Sequence, residues 1–182
     1  GLLGPRPITE AIHETGDWAV RFLLVSLAVT PFRRILRYPK LILVRRMLGL
    51  AALSYALAHV VLYMADQKWN LWTVGSEIVL RLYLTIGFVA LLGLIALGAT
   101  STDAAIRRLG GNWNRLHRIV YAIGILALLH YFMQTKADVY QATLMAGLFF
   151  LLMLYRLAHW RGLDLTSAPV LAGIAIGSAV LT

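Results

Sequence analysis

Three histidines stand inside long apolar stretches. His59 lies in "RRMLGLAALSYALAHVVLY", and His117 and His130 lie at the two ends of "NRLHRIVYAIGILALLHYF". Ionisable side chains are rare in such segments and mark functional sites when present. A neutral imidazole offers a nitrogen lone pair to a metal ion or relays a proton. His59 follows Arg46 by 13 residues, and His130 follows Arg115 by 15. At about 1.5 Å per helical residue, both stand about 20 Å from the basic ends of their segments. Two imidazoles at one depth on two helices suit the axial coordination of a b-type haem iron. The competing reading is a pair of ordinary hydrogen bonds to Ser, Thr or Tyr on neighbouring helices. The matched depth favours ligation.

His117 has no histidine at its own depth on the helix that carries His59; that position is Arg46. It lies about 20 Å along its helix from His130 and about 140° around it. Both face one cavity only if the helix tilts or carries a bulge, for which Gly124 is the candidate. His117 therefore marks a candidate second haem or flavin site, with His159 as its available partner. An exposed interfacial histidine is the favoured reading of His159. His13, in "ITEAIHETGDW", reads as a surface residue beside helix-capping Thr9 or Thr15.

The elements that must position these groups are membrane helices. Of the 182 residues 60% are hydrophobic and 14% charged, far from the balance of a soluble domain. Spans are expected at 17–32, 46–65, 76–99, 114–134 and 139–160. The apolar 168–182 is too short to cross alone and reads as the start of a sixth helix. The expected fold is a single all-α domain over 1–182, a bundle of five to six transmembrane helices with haem between the second and fourth spans. The alternation of a membrane β-barrel is absent. Pro31 and Pro39 are expected to end the first helix, and 103–109 to form a short surface helix ended by Gly110 and Gly111.

The net charge of +9 raises nucleic acid as a partner, but its placement argues for membrane topology instead. Arg33, Arg34, Arg37, Lys40, Arg45 and Arg46 fill one loop; Arg107, Arg108, Arg115 and Arg118 fill another; Arg156 and Arg161 follow the fifth span. All three regions fall on one side, which the positive-inside rule makes cytoplasmic. Glu10, Glu14, Asp17, Asp66, Glu77 and Asp138 fall on the other. With no cysteine there is no disulfide, no cysteine-ligated iron–sulfur cluster and no covalent c-type haem. No signal peptide is visible, and the chain does not begin with Met, so a preceding segment is expected.

Arg45, Arg46, Arg115 and Arg118 are placed to neutralise a flavin phosphate or haem propionates near His117. Topology and lipid headgroups explain them equally well. On the outer side Arg21, Glu77 and Arg81 can pair with one another, or the arginines can hold propionates of an outer haem. Tyr55 and Tyr63 flank His59 at i−4 and i+4 and share its face, as pocket lining or as packing. Trp69, Trp72 and Tyr83 read as an interfacial belt. No G-x-G-x-x-G nicotinamide site is present, so the electron donor must be a separate protein or a membrane quinol.

The segments "TGDWAVRFLLVSLAVTPFRR", "RRMLGLAALSYALAHVVLY", "ALGATSTDAAIRRLGGNWNRLHRIVY" and "HYF" also resemble a known family. It is the MsrQ (YedZ) family, the haem-binding membrane subunits of the MsrPQ methionine sulfoxide reductase system, within the ferric reductase-like transmembrane group. The resemblance runs from about Thr9 to Arg161 and places His59, His117 and His130 at the three motif histidines. It implies a multi-pass protein of the bacterial inner membrane, carrying b-type haem (one, with a second as the alternative) and FMN. It implies electrons drawn from the quinone pool or a cytosolic flavin reductase and passed to MsrP, a periplasmic molybdopterin enzyme. Members of the family carry a helix before the first span, and related ferric reductases carry two histidines on each of two helices, where Arg46 stands here.

Two other functions fit the same residues: a stand-alone haem quinol oxidoreductase or ferric reductase, and, more distantly, a transporter with a histidine proton relay. Colour separates them. The purified protein is expected to show a Soret band that shifts on dithionite; a colourless preparation would eliminate every redox reading.

Overall fold

The computed structural model describes residues 6–135, 139–163 and 168–180, and every regular element among them is helical. These are α1 (Pro7–Ile35), α2 (Ile42–Asp66), α3 (Leu71–Leu80), α4 (Leu82–Ala99), α5 (Asp103–Leu109), α6 (Gly111–His117), α7 (Val120–Gln134), α8 (Tyr140–Trp160) and α9 (Ala168–Val180). A short 3₁₀ turn, Pro39–Leu41, leads into α2. Among the described residues four helical stretches are long and apolar enough to cross a membrane: Pro39–Asp66, Leu82–Ala99, Gly111–Gln134 and Tyr140–Trp160. The 29-residue α1 runs beside them, packed against α2, α7 and α8, and contributes Val20, Leu23, Leu24 and Leu27 to the core. Asp138, assigned above to the outer side, lies outside the described residues.

The core is apolar packing between α1, α2, α4, α7 and α8, built on Leu27, Ala52, Leu94, Leu97, Ile123 and Phe149. Close approach depends on missing side chains. A Cβ on Gly124 would stand 2.6 Å from Phe149 Cε2, so α7 meets α8 there with no room to spare. Helix α9 runs antiparallel to α8: Val170, Leu171 and Ile174 pack on Tyr155 and Ala158, and Ser178 Oγ donates to the Gly147 carbonyl at 2.7 Å.

The fifth span falls where expected, and the second begins four residues early; the first, third and fourth depart in ways the backbone's hydrogen bonds explain. The first does not stop at Pro31; it continues to Ile35 with the proline inside it. Proline has no N–H for the carbonyl four residues back, that of Leu27. An unsatisfied carbonyl in an apolar interior costs several kcal/mol. Here Arg156 of α8 donates to it through Nη2 at 2.7 Å. The third span is broken at Arg81, whose backbone is extended (φ −109°, ψ 105°). The hydroxyl of Thr85 donates to the Ile78 carbonyl at 2.5 Å, supplying a donor across that break.

The fourth span begins at Gly111 and is interrupted at Arg118 and Ile119, rather than at Gly124. Bonds from Arg118 N to Arg115 O and from Ile119 N to Leu116 O shorten the repeat to i→i−3 and reset the phase between His117 and His130. Gly110 ends α5 with φ 50°, while Gly111 already opens α6. Neither Thr9 nor Thr15 caps α1. Its N-cap is Arg6, with no side-chain bond, and Thr15 donates back to the Ala11 and Ile12 carbonyls within the helix.

The Pro31–Arg156 pairing has a measurable consequence. Arg156→Leu should lower stability by about 1–3 kcal/mol, because it strands the Leu27 carbonyl. In a Pro31→Ala background residue 31 regains its N–H, so the same substitution should cost less. Thermal unfolding of the four proteins in detergent gives the coupling; strict additivity would refute the pairing.

Candidate functional site: a histidine pair held by two helix–glycine clamps

The structure brings His59 of α2 and His130 of α7 together, with ring centroids 6.2 Å apart and ring planes at 88°. Two imidazoles bound end-on to one metal ion, at about 2 Å per metal–nitrogen bond, hold their ring centres about 6 Å apart. The separation of the two rings therefore suits an axial pair.

Each ring is held the same way. Nδ1 of His59 donates to the Ile12 carbonyl of α1 at 2.8 Å, and Nδ1 of His130 donates to the Tyr83 carbonyl of α4, also at 2.8 Å. A carbonyl only accepts, so both Nδ1 atoms carry their proton. In a neutral imidazole Nε2 is then the lone-pair nitrogen, the tautomer a metal requires. Four residues after each carbonyl stands a glycine: Gly16 after Ile12, and Gly87 after Tyr83. A Cβ on Gly16 would lie 3.1 Å from His59 Nδ1, and one on Gly87 would lie 2.7 Å from His130 Nδ1. The glycines let the carbonyl-bearing helix come within hydrogen-bond reach of the ring.

The two clamps are copies. Ile12, Gly16 and His59 recur as Tyr83, Gly87 and His130, an offset of 71 residues, and both carbonyl–histidine separations are 47. The offset carries Arg46 onto His117. Sequence reasoning missed this repeat because its shared letters are one glycine and one histidine; the equal Gly–His spacing was the available signal.

His117 does not join the pair. It stacks on Trp113 (centroids 3.8 Å, planes 24°), its Nδ1 donates to the Trp113 carbonyl at 3.1 Å, and its Nε2 lies 3.4 Å from Ser101 Oγ. Trp113 in turn donates from Nε1 to the Thr100 carbonyl at 2.9 Å. His159 is exposed at the end of α8, and His13 is exposed on α1.

The arginines divide by facing. Arg46 forms an ion pair with Asp103 at 2.7 Å, and Arg115 and Arg118 are exposed. Arg45 is half-buried and turned inward, within electrostatic reach of His117, Tyr121, Arg156 and Arg33. Arg21 pairs with Asp17 at 3.7 Å and lies over the Trp18 ring. Arg81 is bound to Glu77 at 2.8 Å and to Tyr83 Oη at 3.2 Å. Tyr63 donates to the second oxygen of Glu77 at 2.5 Å, closing a polar chain over the outer side of the pair. Tyr83 thus turns inward, 6.4 Å from the His130 ring, and leaves the expected belt to Trp69 and Trp72, which are exposed. Tyr55 packs on Phe22 and Trp18 of α1, the helix that also accepts the His59 bond.

This architecture has known relatives. The family described as "Ferric reductase like transmembrane component" matches residues 15–129, which contain Gly16, His59, Tyr83, Gly87 and His117 and end one residue before His130. The chain is 44% identical over 163 residues to the "Protein-methionine-sulfoxide reductase heme-binding subunit MsrQ" of Xanthomonas campestris pv. campestris (strain 8004), covering 89% of this chain and 74% of that protein. It is 40% identical over 174 residues to the protein of the same description from Caulobacter vibrioides, covering 93% and 81%. The chain belongs to the MsrQ family. That family lies within the ferric reductase-like transmembrane group, and its members, like this chain, are multi-pass membrane proteins. No solved structure matches the chain.

The clamps differ in tightness, and stability should show it. Gly87→Ala must displace the His130 ring and is expected to destabilise more than Gly16→Ala, whose added methyl sits a few tenths of an ångström farther out. Thermal unfolding of the two variants checks the order; equal or reversed effects would contradict the packing.

Proposed function

We propose that the chain is a membrane electron-transfer subunit. It carries electrons through b-type haem, and through FMN near its inner face, across the bacterial inner membrane to a periplasmic MsrP-like molybdopterin reductase. There the electrons serve the repair of methionine sulfoxide in oxidised proteins. The donor is the quinone pool or a cytosolic flavin reductase. The observation that carries this reading is the His59–His130 pair, 6.2 Å apart, with each Nδ1 bound to a carbonyl. Family membership supports it, since the relatives are named heme-binding subunits of protein-methionine-sulfoxide reductase.

Haem supplies one-electron chemistry in a bilayer too thick to cross in one step. The protein's own residues do the rest. Ile12 and Tyr83 fix the tautomers of His59 and His130 through their carbonyls. Gly16 and Gly87 admit the helices that carry those carbonyls. The core residues Leu23, Leu94 and Leu128 surround the bundle centre with apolar surface and exclude water. The Tyr63–Glu77–Arg81–Tyr83 chain closes the outer side with internally paired polar groups. Arg81 and Arg21, with donors beyond those used for Glu77 and Asp17, can also meet a haem carboxylate there. His117, beside Trp113 and Arg45, marks the inner station.

His59→Ala and His130→Ala should each abolish the six-coordinate low-spin haem spectrum. His117→Ala should spare it. A full low-spin spectrum surviving in His59→Ala would sink the pairing.

A further inference from the structure

Three arginines in the inner half of the bundle have no acidic partner among the described residues. Arg33 comes from the last turn of α1, Arg45 from the first turn of α2 and Arg156 from the last turns of α8. All three are half-buried. Arg45 is close enough to Arg33 and Arg156 to be repelled by both. Among the described residues the ion pairs are Arg21–Asp17, Arg46–Asp103 and Arg81–Glu77; none of the three inner arginines takes part in one. Arg156 is oriented by its bonds to Tyr121 Oη at 3.2 Å, to the Leu152 carbonyl at 3.0 Å and to the Leu27 carbonyl at 2.7 Å. Its guanidinium also lies 5.1 Å from the centre of the Tyr121 ring. The Arg45 backbone is tied to α1 by Ser26 Oγ, which donates to its carbonyl at 3.4 Å.

Partly desolvated like charges raise the energy of the folded chain unless an opposite charge joins them. Arg156 reaches α1 at the Leu27 carbonyl, Arg45 is tied to α1 at the adjacent Ser26, and Arg33 lies nearer the same end of α1. Half-buried guanidinium groups from three packed helices, with forked donors, suit a tetrahedral oxyanion. Surface topology does not explain the arrangement, because the arginines that serve topology, Arg34, Arg107, Arg108, Arg115 and Arg118, are exposed.

We propose that Arg33, Arg45 and Arg156 form a phosphate-binding site at the inner end of the bundle, beside Tyr121 and His117. The phosphate is that of a bound flavin mononucleotide or of a phospholipid headgroup. This inference rests on the inner station of the proposed function and moves its anion contacts. They pass from the exposed Arg115 and Arg118 and the paired Arg46 to Arg45 and two arginines that the loop pattern assigned to topology alone.

The test uses the full chain with its haem, purified in a maltoside detergent without phosphate. It is titrated with FMN and with riboflavin, which has the same ring and no phosphate, and its bound phospholipid phosphorus is counted. Arg45→Gln is the main variant, because the Arg45 side chain takes part in none of the ion pairs among the described residues. Arg33→Gln is the second, and the exposed Arg107→Gln is the control. If the source is flavin, FMN should bind at least about tenfold more tightly than riboflavin, and both variants should remove that preference. If the source is lipid, FMN shows no preference, but bound phosphorus per chain falls in both variants and not in Arg107→Gln. FMN and riboflavin binding alike, with unchanged phosphorus in both variants, would overturn the site. The haem spectrum is read in the same samples, so a failure of the histidine pairing is seen separately.

Discussion

A neutral imidazole has one proton to give. In this chain both His59 and His130 give it to a backbone carbonyl of a neighbouring helix, and the rest of the site follows from those two bonds. Each bond fixes which nitrogen keeps a lone pair. Each also requires a carbonyl inside another helix to accept an added donor, and the Ile12 carbonyl accepts from Thr15 Oγ1 as well as from His59. Reaching it brings the ring against the next turn of that helix, where a Cβ on Gly87 would collide with His130 and one on Gly16 would crowd His59. The pairing of α1 with α2, and of α4 with α7, is thus set to sub-ångström tolerance by the need to hold a ring.

The same accounting governs the helix breaks. Hydrocarbon offers no water to a stranded carbonyl. Leu27, released by Pro31, is met by Arg156, and Ile78, at the Arg81 break, is met by Thr85. Arg156 consequently does two things. It completes a proline-bearing helix, and it brings a positive charge into the inner half of the bundle, where Arg45 and Arg33 already stand. The 71-residue offset makes the contrast between the two ends explicit. At the outer end the copies agree, histidine with histidine; at the inner end one copy has His117 and the other Arg46. The outer station is symmetric in its donors, and the inner one is not.

Depth was legible in the sequence, and facing was not. Counting residues from Arg46 and Arg115 puts His59 and His130 near one level, because α2 is regular and the i→i−3 break between α6 and α7 is only two residues long. No comparable rule gives the direction of a side chain when the helix is apolar on every side, toward lipid as much as toward protein. Arg45 and Arg46 are adjacent, yet one turns to Arg156 and the other to Asp103. Tyr55 keeps the expected helical spacing from His59, and its ring meets Phe22 and Trp18 of α1. Pro31 reads as a stop because a local rule cannot see a donor that arrives from Arg156, far along the chain. Tyr83 reads as a belt residue until the break at Arg81 turns its helix inward.

If His59 and His130 ligate one iron as proposed, rings that keep their 88° angle would bind it with nearly perpendicular planes. Perpendicular axial imidazoles leave two of the iron d orbitals close in energy, and this makes the low-spin ferric state strongly anisotropic. The low-temperature EPR spectrum of the oxidised, haem-loaded protein reads that angle directly. The account predicts one dominant low-field feature. A rhombic three-line spectrum, which parallel rings produce, or a high-spin signal from a single axial histidine, would contradict it.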